Sequence, residues 1–165
     1  MTGVVEDLHQ VLSVRTALLR LNNDNARETS MLTPEQFDRL IGAARVATFI
    51  APSAAFLVAM EQSDAYDGGH FLWFRERVDW FPYIDRIVVA QDHRRRGLGR
   101  LLYEDLFTQA QRLGHSRIAC EVSALPPNPG SDAFHAALAF VQVGTATIDH
   151  GAKVVRYLVR DDDRR

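Results

Sequence analysis

The stretch that most constrains this chain runs from residue 84 to residue 113. An apolar run over residues 84–90, interrupted at Asp85-Arg86, leads into His93-Arg94-Arg95-Arg96-Gly97-Leu98-Gly99-Arg100-Leu101-Leu102. An amphipathic stretch follows to Leu113 and is closed by Gly114. Strand, glycine-bearing turn and helix, in that order, aim a helix N-terminus at an anion. The first amides of a helix have no internal partner, and the helix dipole adds partial positive charge there. Glycine lets backbone approach a phosphate with no Cβ in the way. Four arginines within seven residues, Arg94 to Arg100, surround that opening. Two readings follow. One is a pyrophosphate cradle, anchored by charge-assisted hydrogen bonds of roughly 1.5–3 kcal/mol each. The other is a tight turn beside a solvated basic corner. Two nucleotide motifs are excluded: there is no Gly-x-x-x-x-Gly-Lys-Ser/Thr, and the third residue after Gly99 is Leu102, not glycine.

Arg94-x-x-Gly97-x-Gly99 resembles the Arg/Gln-x-x-Gly-x-Gly/Ala pyrophosphate loop of the GNAT superfamily of N-acetyltransferases. Val89 stands five residues before Arg94, where that family ends its fourth strand. A second block, Asn128-x-x-Ser131-x-x-Phe134-His135-x-x-x-Ala139-Phe140, is similar to the family's Asn-x-x-Ala-x-x-Phe-Tyr-x-x-x-Gly-Phe. It departs at Ser131, His135 and Ala139. The resemblance covers residues 80–160 well and the first half by general layout. It implies an α/β fold: a mixed sheet with helices on both faces, whose two central parallel strands splay apart to admit acetyl-CoA. It also implies cofactor contacts from Ile87, Val88 and Val89 on the strand, from Arg94, Arg95, Arg96, Gly97, Leu98, Gly99 and Arg100 in the loop, and from Asn128, Ser131, Phe134 and His135 beyond.

At 165 residues the chain suits one domain. Its net charge of −2 argues against a general nucleic-acid binder. The one cysteine, Cys120, cannot form an intrachain disulfide, which points to a reducing compartment. With no signal peptide and no membrane-spanning run, the expected location is the cytoplasm.

Along the chain, residues 1–13 read as a short helix or an arm. Residues 14–21 read as a first strand, turned by Asn22-Asn23-Asp24-Asn25, with a short helix over residues 25–30. Thr33-Pro34-Glu35-Gln36 starts a helix with a capping threonine, proline at the first position and glutamine three beyond the cap. Residues 45–50 and 54–60 form a strand pair. Residues 61–82 are irregular and aromatic, holding both tryptophans; they either wall an acceptor pocket or form a satellite core. A central strand over residues 83–90 precedes the helix over 97–113 and a parallel strand over 117–122. Residues 125–130 read as non-helical. Ser131 is expected to cap a helix that packs Ala133, Phe134, Ala137 and Leu138 inward. An antiparallel pair over 141–149 and 153–160 closes the fold, and residues 161–165 are expected to be a disordered tail.

Acyl transfer to an amine must remove a proton: an alkylamine of pKa about 10.4 is neutral in only about one molecule in a thousand at pH 7. Asp85, which breaks an apolar strand, is the first candidate base; its alternative is a salt bridge with Arg86. Tyr83 shares its face by alternation. Glu121 is the second carboxylate candidate. His135 stands where the family has a tyrosine that donates to the coenzyme A sulfur. To act as an acid it would have to be cationic; otherwise it donates a hydrogen bond or packs. The remaining histidines show no metal spacing. These residues predict an acetyl-CoA-dependent N-acetyltransferase working by direct transfer without a metal, on an unspecified amine, with homodimerisation open. The alternatives are a non-catalytic acyl-CoA sensor and a basic-loop nucleic-acid binder.

Overall fold

A computed structural model describes residues 3–162. One seven-stranded sheet runs in the order β1-β2-β3-β4-β5-β7-β6. Its strands are β1 (Val5–Asp7), β2 (Val46–Ile50), β3 (Ala55–Glu61), β4 (Pro82–Val89), β5 (Arg117–Leu125), β6 (Val141–Ile148) and β7 (Lys153–Asp161). Five helices complete it: α1 (Arg15–Asp24), α2 (Pro34–Ala43), α3 (Gly69–Arg75), α4 (Leu98–Arg112) and α5 (Pro129–Ala137). β4 and β5 are parallel, and every other neighbouring pair is antiparallel. The expected α/β architecture, helices on both faces of a mixed sheet, is what the chain adopts.

The two faces have separate cores. On one, Leu18 and Leu21 of α1, Phe37 and Ile41 of α2, and Phe71 and Phe74 of α3 pack against Phe49, Phe56, Tyr83 and Tyr157. On the other, Leu102, Tyr103 and Leu106 of α4, with Leu138 and Phe140 after α5, pack against Ile84, Ile118, Cys120 and Leu158. Fully burying one such large apolar side chain contributes about 1.5–3 kcal/mol.

The first half of the chain differs from expectation. Residues 15–21 belong to helix α1, with Val14 at its N-cap, not to a strand, and the first strand is Val5–Asp7. Val14, Leu18 and Leu21 already lay at helical spacing, and Leu18 and Leu21 are the residues that face the core. No helix forms over 25–30; Asn22 and Asn25 instead hold the loop, Asn22 Nδ2 donating to Ser30 O at 2.8 Å and Asn25 Nδ2 to Leu21 O at 2.8 Å. The start of α2 is as predicted: Gln36 N donates to Thr33 Oγ1 at 3.2 Å and Thr33 N to Gln36 Oε1 at 2.8 Å.

Two corrections fall in the second half. Asn128, not Ser131, caps α5, accepting from Ser131 N at 3.2 Å with Pro129 at the first helical position, so residues 129 and 130 are helical. The inward face of α5 carries Phe134 and His135, with Leu138 buried just after it, while Ala133 and Ala137 are exposed. Of the expected tail, Asp161 is the last residue of β7 and Asp162 N donates to Ser116 O at 2.6 Å; residues 163–165 lie outside the described residues.

Candidate active site

β4 and β5 pair at two positions, Tyr83↔Ala119 and Ile84↔Cys120, and then part. From Asp85 to Val89 the β5-facing edge of β4 has no strand partner, while its other edge stays paired with β3. β5 likewise stays paired with β7 on its far side. The result is a wedge between two parallel strands, lined by unpaired backbone groups. Ile87, Val88 and Val89 lie along it.

The arginine-rich turn stands at the open end of the wedge. β4 ends at Val89, a short 3-10 turn covers Gln91–His93, and α4 begins at Leu98. Gly97 holds φ +79° and Arg95 φ +61°, both left-handed. For arginine that conformation costs roughly 1–2 kcal/mol, so the loop's shape is imposed by its surroundings. Gly97 provides α4 with no side-chain cap, so the amides of Leu98, Gly99 and Arg100 stay free of intrahelical partners. The four arginines divide into two sets. Arg94 is structural: Nε donates to Val89 O at 3.3 Å, and an Nη donates to Asn25 Oδ1 at 2.8 Å. Arg100 pairs with Glu104 one turn along α4 at 2.9 Å. Arg95 and Arg96 are exposed and make no ion pair among the described residues.

Gly99 brings three elements together. A Cβ there would meet the Phe134 ring at 3.5 Å and Ile87 Cδ1 at 3.8 Å. These are ordinary contacts, so nothing inside the protein forbids an alanine. Phe134, half-buried, stands edge-on to Tyr103, with centroids 5.1 Å apart. β4, α4 and α5 thus converge where the resemblance expects the cofactor's arm.

His135 takes up the packing alternative left open for it. It is buried at 5% exposure. Nδ1 donates to Ser131 O at 2.8 Å, and Tyr103 O–H donates to Nε2 at 2.8 Å. Both ring nitrogens are therefore committed inside the protein, and burial lowers its pKa below the ordinary value. The cation that an acid role needs is disfavoured, so this geometry argues for packing. Asn128 spends its Oδ1 on the helix cap.

The carboxylates occupy the sheet face that carries α1 and α3. Opposite β3, Val58 pairs with Arg86 and Ala59 with Ile84, so Asp85 is an extra, bulged residue. Asp85 shares the face of Tyr83, and the bulge brings Arg86 to that face as well. Asp85 accepts from Tyr66 O–H and, at 2.7 Å, from Arg86 Nε; the Arg86 guanidinium goes on to Asn22 Oδ1 at 2.8 Å. The predicted Asp85–Arg86 salt bridge exists. Across the wedge, Glu121 of β5 is half-buried and accepts from Tyr83 O–H at 2.6 Å. Burial pushes the Glu121 carboxyl up to about 8; Tyr83's hydrogen bond opposes that shift and the Asp85 charge adds to it. Tyr83 and Tyr66 are held protonated, first by burial and then by these carboxylates.

The aromatic insert packs largely as core, one of its two readings: Phe71, Phe74 and Phe81 are fully buried, Tyr66 and Trp73 pack against that core, and His70 is half-buried beside Tyr157. Trp73 stacks on Tyr157 at 4.0 Å and is backed by Gly144, where any Cβ would come within 2.6 Å of the indole. His70 Nδ1 lies 3.0 Å from Tyr157 Oη. The sequence reading attached no role to Tyr66, His70 or Tyr157. Tyr66 and His70 sat in a stretch with no period, and Tyr157 in an ordinary strand.

A wedge between parallel strands, with an open helix N-terminus at its mouth and a carboxylate pair along one side, defines an enzyme that admits a long phosphorylated cofactor. The model of the acetyltransferase (GNAT) family matches residues 17–140. Solved structures agree in fold. The NatC complex bound to Gag peptide and CoA superposes with TM-score 0.76 at 13% identity, over 98% of this chain and 99% of that one. The ribosomal-protein-S18-alanine N-acetyltransferase of Escherichia coli gives TM-score 0.67 at 16% identity, over 99% and 96%. An aminoglycoside 6′-N-acetyltransferase complexed with coenzyme A gives 0.72 at 13%, over 98% of each. No curated protein sequence matches. The chain belongs to the GNAT acetyltransferase family and is an acetyl-CoA-dependent N-acetyltransferase. Among the described residues no helix is long and apolar enough to cross a membrane, and no cluster of three or more His, Cys, Asp or Glu side chains is suited to a metal.

Proposed function

We propose that one domain spanning the chain moves the acetyl group of acetyl-CoA directly to an acceptor amine in a ternary complex. The observation that carries this is the parting of β4 and β5 beside the uncapped start of α4, with Asp85 and Glu121 facing each other across the wedge on one face of the sheet. The pyrophosphate sits against the Leu98, Gly99 and Arg100 amides, with Arg95 and Arg96 closing over it. Arg94 keeps the loop in place. The pantetheine arm runs along the edge of Ile87, Val88 and Val89, past Phe134, with Asn128 Nδ2 and Ser131 near its far side. An N–H on that edge holds the thioester oxygen as charge develops there.

The acceptor arrives from the Tyr66–Asp85 side. Asp85 is tied to Tyr66 and Arg86, so its charge orients the ammonium rather than taking its proton. Glu121 takes that proton, positioned by Tyr83. A carboxyl that ionises near 8 matches an alkylamine far better than an ordinary carboxylate does. His135 holds the floor of the wedge through Tyr103.

Mass spectrometry of acetylated product tests this, with a panel of L-alaninamide, ethanolamine, spermidine, kanamycin and an alanine-initiated peptide. At least one amine gains an acetyl group, with a rate that rises as pH passes through about 8 and with that limb lost in Glu121→Gln. An alkaline limb unchanged in Glu121→Gln would remove Glu121 from the chemistry.

A further inference from the structure

We propose that the last turn of α1 is a shared support for both halves of the site: Asn25 holds the cofactor loop through Arg94, and Asn22 holds Asp85 through Arg86. This rests on the reading of Asp85 as the group that orients the ammonium. Asn22 and Asn25 are then positioning residues, each acting through an arginine.

Along the sequence, Asn22-Asn23-Asp24-Asn25 signals only a turn. In the structure it ends α1, with Asn22 inside the helix and Asn25 as its C-cap. Residues three apart on a helix share a face, and this face meets two arginines of the β4 region. Those arginines bracket the part of β4, Asp85 to Val89, that has no β5 partner. Arg86 stands near its start. Arg94 follows its end and donates by Nε to Val89 O at 3.3 Å.

Neither asparagine is free to trade partners. Asn22 is fully buried; its Oδ1 accepts from Arg86 Nη1 at 2.8 Å, while Nδ2 donates to Asn23 Oδ1 at 3.0 Å and to Ser30 O at 2.8 Å. Asn25 Oδ1 accepts from Arg94 Nη2 at 2.8 Å, while Nδ2 donates to Leu21 O at 2.8 Å. A guanidinium only donates, so both amides are fixed with oxygen toward arginine. Arg86 passes the constraint on. Its Nε donates to Asp85 Oδ2 at 2.7 Å, and the Arg86 and Asp85 side chains are 9% and 7% exposed. At that burial water does not replace either partner, so whatever moves Arg86 moves the carboxylate. Tyr66 holds the other oxygen, Oδ1. The turn joins the two asparagines directly: Asn25 N donates to Asn22 O at 3.0 Å, and Thr29 Oγ1 reaches Asn22 O at 3.3 Å and Asn25 O at 3.1 Å. A cofactor that settles the arginine loop therefore settles the turn that aims Asp85, and the two ligands are coupled through it.

The first test needs no amine. The Arg86 Nε–H, buried against Asp85, is followed by NMR as coenzyme A is added to saturation. Its signal shifts in the wild type. The shift is lost in Asn25→Ala and in Arg94→Ala, which cut one contact from either side, and returns in Asn25→Asp, which keeps an oxygen toward Arg94. No shift in the wild type, a shift that survives either cut, or one that stays lost in Asn25→Asp overturns the shared support. The second test is turnover with the best amine of the panel at saturating acetyl-CoA. Asn25→Ala raises KM for the amine about fivefold or more, and adds nothing when Asp85→Asn is already present, because the turn reaches the amine only through Asp85. An unchanged KM in Asn25→Ala, or an equal rise in both backgrounds, also overturns it while the acceptor reading stands. If Asp85→Asn by itself leaves that KM unaltered, the acceptor reading fails first and the shared support falls with it.

Discussion

Glu121→Gln isolates the electrostatic cost of the candidate site. Glutamine resembles the protonated carboxyl in shape and still accepts from Tyr83, so the fold loses little. What changes is pH dependence. The Glu121 carboxyl is raised from an ordinary 4.5 to about 8, chiefly by burial. Below about pH 4.5 both folded and unfolded chains carry the proton, and the wild type has its full stability. Between there and about 8 the unfolded chain is ionised while the folded one is not. Stability then falls by about 1.4 kcal/mol per pH unit, and above about 8 the fall stops. Over the whole window this amounts to roughly 5 kcal/mol, a large share of the roughly 5–15 kcal/mol that holds a domain together. The assay is urea unfolding of wild type and Glu121→Gln across this window. Common titrations cancel in the difference, so the variant gains on the wild type steadily as pH rises and then holds its lead. Parallel curves at every pH would refute a Glu121 that stays protonated.

Other expectations follow from single contacts. Gly99→Ala folds at least as well as the wild type, since its Cβ makes only ordinary contacts and alanine favours a helix by about 1 kcal/mol; calorimetric titration nonetheless finds weaker acetyl-CoA binding, because the methyl stands beside Phe134 and Ile87, along the proposed course of the cofactor's arm. Arg95→Ala with Arg96→Ala lowers acetyl-CoA affinity about tenfold or more and flattens its salt dependence without moving the unfolding midpoint, whereas Arg94→Ala also lowers that midpoint. Gly144→Ala destabilises by about 1–3 kcal/mol in urea unfolding, because a Cβ within 2.6 Å of an indole pinned on Tyr157 forces that stack to move.

The strand, turn and helix around the arginine loop were legible because their signals are local. Glycines, arginines and a strand-to-helix switch lie next to one another in the chain, and β4 and α4 formed where expected. The α2 capping box was legible for the same reason. α1 was misread because its β-branched and apolar start resembles a strand, while its spacing of Val14, Leu18 and Leu21 pointed to a helix. The surroundings of the two carboxylates depend on contacts across the sheet. Tyr66 meets Asp85 from nineteen positions away and Tyr83 meets Glu121 from thirty-eight. No spacing rule links such pairs. The bulge at Asp85 depends on β3 supplying one residue fewer than β4. His135 drew attention as a departure from a familiar pattern, but its hydrogen bonding is set by Tyr103, thirty-two residues away.

The most direct test of the central claim is calorimetric titration of acetyl-CoA into the wild type and Gly97→Glu. No atom lies within 4 Å of a Cβ at Gly97, so the variant's cost is the left-handed backbone, roughly 1–2 kcal/mol. Its carboxylate would stand at the open end of α4. The account predicts saturable one-to-one binding by the wild type and none by a still-folded variant. No binding by the wild type, or equal binding by both, would contradict it.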